Sequence, residues 1–262
     1  MKVAILCGGR GTRLREVSET IPKPMVPIGE HPILWHVMKL YASHGLTEFV
    51  LLLGYKGTVI REYFLNFAAY ECDVTVDLSA TGDRRLTFHG PPAEPWQVTL
   101  LNTGEDTLTG GRVRRARRYL ETDELFCLTY GDGVGNVDIT ALLAFHRQHG
   151  RLATVTAVRP PGRFGELVLD DHRHVRVFNE KPQVSGGYIN GGFFVFHRDV
   201  LERYFPDRDD LMLEKEPLEA LARDGELMAF RHDGFWQPMD TPREFQLLND
   251  LWRSGEAPWK IW

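Results

Sequence analysis

The sequence predicts an α/β fold organised on a parallel, doubly wound sheet, and three observations carry that prediction. A short apolar run, KVAIL, reads as a buried first strand that feeds the glycine-rich stretch LCGGRGTRL, Leu6 to Leu14. Strand, loop, helix, strand and helix then alternate as far as Phe67, the opening of a parallel sheet with crossover helices. A second buried run, Phe126 to Tyr130, ends at Gly131-Asp132-Gly133. That is the strand-end position at which open α/β sheets bind their ligands.

The glycine loop makes the first chemical statement. Gly8, Gly9 and Gly11 remove the Cβ atoms that would hold a phosphate away from the backbone, and successive bare N–H groups form an anion-binding concavity. Arg10 and Arg13 add guanidinium forks that match phosphate oxygens in pairs. A Walker loop is excluded because no Gly-Lys-Ser/Thr follows, and the dinucleotide fingerprint fails because Leu14 stands where its third glycine belongs. The chain instead continues irregularly through Pro22, Pro24 and Pro27. Lys23 lies in PKPM, where flanking prolines stiffen the backbone; from spacing alone it reads equally as a solvated loop lysine.

The elements follow in order. HPILWHVMKLYASHG carries a helical stripe, Leu34, Val37, Met38 and Tyr41, with Pro32 at its first turn and Gly45 at its stop. His31, His36 and His44 fit surface or structural roles better than metal ligation. FVLLLGY is a second buried strand, and Val59, Ile60, Tyr63, Phe64 and Phe67 mark a second amphipathic helix. From about 70 to 102 the pattern changes to three alternating strands, DVTVDL, RRLTFH and QVTLLN, read as a β-rich excursion that lines a substrate site or mediates assembly. Thr109, Gly110 and Gly111 open a helix rich in arginine, of which Arg112, in the first turn, is the functional candidate. Asp132, taken alone, is an Asp-Gly turn; facing an arginine-rich phosphate loop it suits magnesium, which prefers one or two carboxylates with waters and phosphates. Beyond it come a helix (DITALLAFHRQHG), strands (ATVTAV, ELVL, VRVF, FFVFH), Glu180 and Lys181 after an apolar stretch, Asn190 before two glycines, Asp240 in a turn and a last helix, REFQLLNDLW. The aromatic tail APWKIW is expected to pack on the body or on a neighbour.

Bulk properties narrow the function. The 262 residues are 43% hydrophobic, enough for one large α/β domain or two small ones. A net charge of −5 gives no support for nucleic-acid binding. Cys7, Cys72 and Cys127 lack metal-site or disulfide spacing, which fits a reducing cytoplasm. No signal-peptide pattern precedes the first strand, and no apolar run reaches membrane-spanning length.

With LCGGRGTRL, PKPM, GDG, NEKP, INGGFFV and FWQPMDT in view, the chain resembles the sugar-phosphate nucleotidyltransferases along essentially its whole length. The runs HPILWHVMK, GYKG, EPWQVTL, TGGR and PPGRFG resemble the cytidylyltransferase branch. The resemblance implies a Rossmann-like α/β fold with a mixed, mostly parallel central sheet flanked by helices, as a single domain over 1–262. It implies CTP and α-D-glucose 1-phosphate as substrates, Mg2+ as cofactor, CDP-glucose and pyrophosphate as products for deoxysugar or polysaccharide biosynthesis, and a homo-oligomer, in similar enzymes a hexamer. Leu6, Gly8, Gly9, Gly11, Thr12, Arg13, Lys23, Thr107, Thr109, Gly110, Arg112 and Gly131 would then bind the nucleotide. Glu180, Lys181, Asn190 and Gly191 would bind the sugar phosphate, and Asp132 and Asp240 the metal. Arg13, Lys23, Asp132, Lys181 and Asp240 form the expected catalytic set. Cys7 stands where alanine is common, and Arg10 adds charge at a variable loop position; neither removes a required group. The alternatives are the same transfer from dTTP or UTP, and a non-catalytic sensor of sugar nucleotides, which would not need the aspartate pair. A dinucleotide-dependent oxidoreductase is disfavoured by the missing glycine and helix start.

Overall fold

The structure is a computed structural model that describes residues 1–9, 21–79, 85–91, 94–160, 166–169, 175–179 and 187–262. Strand β1, Val3–Cys7, is buried at every position. Val3, Ile5 and Cys7 enter one core while Ala4 and Leu6 enter another, as the two-residue period of a strand requires. Burial on both faces is why this run lacks polar alternation, and it places β1 mid-sheet.

Helix α1, Ile33–Ser43, covers the first face with the expected stripe, Leu34, Val37, Met38 and Tyr41, fully inside. Pro32 precedes it and Gly45 follows at φ +80°, a conformation that ends helices at little cost only for glycine. Strand β2, Glu48–Leu53, returns parallel to β1. In α2, Gly57–Leu65, Ile60 alone of the expected stripe is fully buried; Tyr63 and Phe64 pack instead against Phe67 of α3, Phe67–Glu71.

The segment at 70–102 divides in two. β3, Asp73–Asp77, and β4, Arg85–His89, form an antiparallel hairpin beside the main sheet. β5, Gln97–Asn102, instead joins the sheet edge parallel to β2, with Val98 and Leu100 packed on the core. An edge strand alternates in the same way as a free hairpin, so the pattern did not separate them.

Helix α4, Thr109–Arg115, leads toward β6, Leu125–Tyr130, which lies parallel to β1 on its other side. A short strand β7, Gly133–Gly135, precedes α5, Ile139–His149, which is capped by Asp138. Next come β8, Ala153–Val158, and a hairpin of β9, Glu166–Leu169, and β10, Val175–Asn179. β11, Ile189–Asn190, and β12, Phe194–His197, follow. β13, Leu227–His232, β14, Trp236–Pro238, and α6, Pro242–Arg253, complete the elements used below.

The main sheet runs β11-β8-β12-β6-β1-β2-β5, with β13 parallel to β8. Its β6-β1-β2-β5 half is parallel throughout. β12 enters antiparallel between β6 and β8, so the sheet is mixed. FFVFH is apolar throughout and reads alike in either direction; its connections, not its composition, set its sense. The aromatic tail packs on the body: Trp259 is buried and its indole N–H donates to His36 Nδ1 at 3.3 Å. His36 Nε2 donates to the Ile28 carbonyl at 2.9 Å. Burial pushes the pKa of His36 down to about 4, so it serves the core as a neutral ring. Cys7 and Cys127 are buried free thiols, whose pKa values burial raises.

Candidate active site

The carboxyl ends of β1, β2 and β6 open on one cleft. Leu6, Gly8, Gly9, Thr107, Thr109 and Arg112, all expected from the sequence to touch a nucleotide, line one cavity of about 270 Å³. Its floor is organised by Arg112, which is 4% exposed. The guanidinium donates to the carbonyls of Leu53 (3.2 Å), Gly104 (2.6 Å), Gly8 (3.1 Å) and Glu105 (3.1 Å), and to the Thr103 hydroxyl (2.8 Å). It therefore ties the glycine loop to the ends of β2 and β5. Gly8 must be glycine here, since a Cβ would sit 2.2 Å from the Arg112 Cζ. Burial lowers the Arg112 pKa, with no carboxylate among these hydrogen-bond partners. The sequence reading gave Arg112 to the nucleotide; it does line the cavity, and its two terminal nitrogens are bonded to protein oxygens.

Gly110 and Gly131 likewise hold backbone together. The Gly110 N–H donates to the Leu211 carbonyl at 2.9 Å and the Gly131 N–H to the Leu6 carbonyl at 3.1 Å, the latter joining the ends of β1 and β6. Gly11, Thr12 and Arg13, with Arg10, lie outside the described residues.

Lys23, Asp132 and Asp240 meet beside this cavity. Lys23 donates to Asp132 Oδ2 at 2.6 Å and also to Asp240 Oδ1. Three local features cause the convergence. Flanking prolines place Lys23 in a single 3₁₀ turn, Lys23–Met25. β7 and β14 pair antiparallel, Gly133 opposite Pro238, and the Met239 N–H donates to the Asp132 carbonyl at 2.9 Å, so the two aspartates flank one short ladder. The start of α6 is a capping box: Thr241 accepts from the Glu244 N–H while the Glu244 carboxylate accepts from the N–H groups of Asp240 (2.7 Å) and Thr241 (2.9 Å). Burial works against charge on Lys23, but Asp132 and Asp240 override it and its pKa is raised. The ammonium therefore stays protonated and offsets the repulsion between the carboxylates.

The donor set fits a hard divalent cation. Two carboxylates already converge on one positive charge, and oxygen ligands completed by water and phosphate are what Mg2+ accepts. Among the described residues no group of three or more His, Cys, Asp or Glu is placed to hold a metal ion. A larger cavity, about 650 Å³, is lined by Glu30, Glu62, Glu71 and His31. The smaller cavity also carries two acidic residues, Glu105 and Asp106, but it alone of the two is walled by Gly8 and Gly9 at the carboxyl end of β1, and that makes it the nucleotide candidate.

On the far side, Asn190 hydrogen-bonds to Tyr130, which precedes Gly131-Asp132. Gly191 donates to the Thr156 carbonyl at 2.9 Å and its own carbonyl accepts from the Trp236 indole at 2.9 Å. A Cβ there would stand 2.6 Å from Val158, which explains the glycine. Glu180 and Lys181 lie outside the described residues. Sequence reasoning missed three groups that shape the cleft. Glu244 was signalled by the Thr241-x-x-Glu244 spacing, and Tyr130 by its place at a strand end, but Glu214 lies in no recognisable pattern.

Comparison with known proteins agrees with this geometry. A family profile described as nucleotidyl transferase matches residues 2–245. The chain is 51% identical over 262 residues to glucose-1-phosphate cytidylyltransferase of Salmonella typhi, covering 100% of both chains. It is equally 51% identical, with 100% of both covered, to the protein of that name from Salmonella typhimurium (strain LT2). The crystal structure of HddC from Yersinia pseudotuberculosis superposes with a TM-score of 0.68 at 24% identity, covering 96% of this chain and 99% of that one, a likeness of fold. With the mixed sheet, the glycine-loop cavity and the lysine-bridged aspartates on its parallel edge, the chain belongs to the nucleotidyl transferase family.

Proposed function

We propose that this protein transfers a cytidylyl group from CTP to α-D-glucose 1-phosphate, releasing CDP-glucose and pyrophosphate. The observation that carries the reading is the meeting of Lys23, Asp132 and Asp240 beside the cavity walled by Gly8, Gly9 and Thr107. Full-length likeness to the Salmonella cytidylyltransferases supports CTP and glucose 1-phosphate as the substrates.

A phosphate oxygen of the sugar phosphate attacks the α-phosphorus of the nucleotide. The new P–O bond forms as the bond to the bridging oxygen breaks, and pyrophosphate leaves with that electron pair. The attacking group is already an anion near neutral pH, so the protein's work is positioning and charge neutralisation rather than proton abstraction. Mg2+, held by Asp132 and Asp240, would supply charge neutralisation on the substrate phosphates. Lys23 keeps the two carboxylates converged before substrate arrives and offers its ammonium to the α-phosphate. Arg112 holds the Gly8 and Glu105 backbone so that the loop presents one shape to the nucleotide. Arg13 is assigned to the leaving pyrophosphate, and Glu180 and Lys181 to the sugar phosphate, by resemblance.

We further propose that the chain works in the cytoplasm as a homo-oligomer, a hexamer by resemblance, in deoxysugar or polysaccharide biosynthesis. Light scattering tests the assembly. Among the described residues no helix is long and apolar enough to cross a membrane. The primary experiment is pyrophosphate release with glucose 1-phosphate and Mg2+, offering CTP, UTP, dTTP, ATP and GTP separately. Release with CTP alone, abolished by chelator, is expected. Release with another nucleotide would overturn the base assignment. Silence with all five, alongside binding of CDP-glucose, would replace catalysis with sensing.

A further inference from the structure

Glu214 belongs to none of the motifs above, yet it joins the two walls of the cleft. One carboxylate oxygen accepts from the Thr109 hydroxyl at 2.7 Å, and the other accepts from the Tyr130 phenol at 2.7 Å. Thr109 lines the nucleotide cavity. The Tyr130 oxygen in turn accepts from Asn190 Nδ2 at 3.1 Å.

Chemistry forces the direction of each bond in this relay. The Gly192 N–H can only donate, and it lies 2.9 Å from the Asn190 amide oxygen. The amide nitrogen therefore faces Tyr130. An amide NH2 group only donates, so the phenol proton must go to its other neighbour, and an ionised carboxylate only accepts. Thr109 obeys the same logic: its oxygen accepts from the Leu213 N–H at 3.0 Å, leaving its proton for Glu214. A phenol keeps its proton near neutral pH, so that proton is available for Glu214. Asn190 is left with one further amide hydrogen, a donor for a sugar hydroxyl oxygen.

We infer that Glu214 is a positioning residue that fixes the Tyr130 proton, and with it the Asn190 amide as a hydrogen-bond donor toward the sugar, while its second oxygen holds the nucleotide-side wall in register. The inference rests on the sugar-phosphate reading of this cleft. It gives the sugar side a polarity that no single contact residue encodes.

The test is a set of four proteins: the natural chain, Glu214→Gln, Asn190→Asp and the double variant. An amide at 214 has one oxygen for two donors, so one hydroxyl must turn around. Glu214→Gln is expected to raise KM for glucose 1-phosphate about tenfold and leave KM for CTP within about twofold, the scale of one well-placed hydrogen bond. Asn190→Asp sets two carboxylates on a phenol with one proton, and is expected to raise the same KM by more than about tenfold. Asn190 is exposed, so that change leaves the core intact. In the double variant the new amide donates to the phenol oxygen and the phenol donates to the new carboxylate. The relay then runs in reverse: the conflict at the phenol is relieved, so the thermal unfolding midpoint lost in Asn190→Asp is expected to return in part, while KM for glucose 1-phosphate stays raised because the carboxylate at 190 has no hydrogen for the sugar. Unfolding-midpoint losses that simply add in the double variant, or an unchanged KM for glucose 1-phosphate in Glu214→Gln, would overturn the inference. A natural chain inactive with all five nucleotides would instead overturn the transferase reading. The relay is then scored by thermal unfolding of the same four proteins: a midpoint partly restored in the double variant sustains it, and additive losses reject it.

Discussion

Two buried cations stand at this cleft and are satisfied in opposite ways. Arg112 is surrounded by neutral oxygens, four backbone carbonyls and one hydroxyl. Lys23 is held by two carboxylates from the two chains at one end of a short strand ladder. The first arrangement matches a planar fork to oxygens that the sheet has already placed, so nothing in it is exchangeable. The second balances one positive charge against two negative ones, and a divalent ion with substrate phosphates satisfies the same carboxylates equally well. One cation is part of the framework; the other is held by the two carboxylates proposed for the metal.

The comparison is broken most forcefully at Asp132. Asp132→Asn keeps size and removes half the charge facing Lys23, and turnover in the pyrophosphate assay is expected to fall by about a hundredfold or more. Near-normal turnover would show that the pair does not hold the metal. Arg112→Met removes every donor from five oxygens at the floor, and urea denaturation is expected to record a loss of about 4 kcal/mol. An unchanged midpoint with lost activity would transfer Arg112 to the substrate side.

His36 sharpens the contrast as a third solution, a buried base that stays neutral. Its folded pKa is about 4 against an ordinary 6.5. The unfolded chain therefore binds this proton first as pH falls, so stability is full above about 6.5 and declines toward 4, by no more than roughly 3 kcal/mol from this ring. His36→Phe should flatten that slope; an unchanged slope would assign acid sensitivity elsewhere. The smallest effect concerns Lys23. Lys23→Met leaves two like charges adjacent, so added Mg2+ should raise the melting temperature of this variant more than that of the natural chain, by an extra 1–2 kcal/mol or so of binding linkage. Arg112→Met should gain no such extra rescue, and equal responses in the two variants would erase the distinction.

Much of this site was legible before any coordinates. Glycines without Cβ atoms, a lysine between prolines and an aspartate between glycines at a strand end are local signals with local causes, and the cavity and the aspartate pair assemble from them. Arg112 was singled out within its arginine run, but its partners were not, because backbone carbonyls carry no sequence signature. Glu214 was invisible for a related reason: it works through Thr109 and Tyr130, more than 80 residues away along the chain. The antiparallel sense of β12 and the return of β5 to the sheet edge were likewise matters of connection rather than composition.

The short ladder between Gly133–Gly135 and Trp236–Pro238 has a consequence for the making of the molecule. Lys23 and Asp132 leave the ribosome more than a hundred residues before Asp240. A nascent chain that has emerged only through Arg112 and Glu214 already owns every partner of the nucleotide cavity, yet holds one carboxylate against one ammonium. The second negative charge arrives only with Asp240, just after the strand that carries Trp236. A chain that stops short of Asp240 therefore lacks one of the two carboxylates that meet at Lys23.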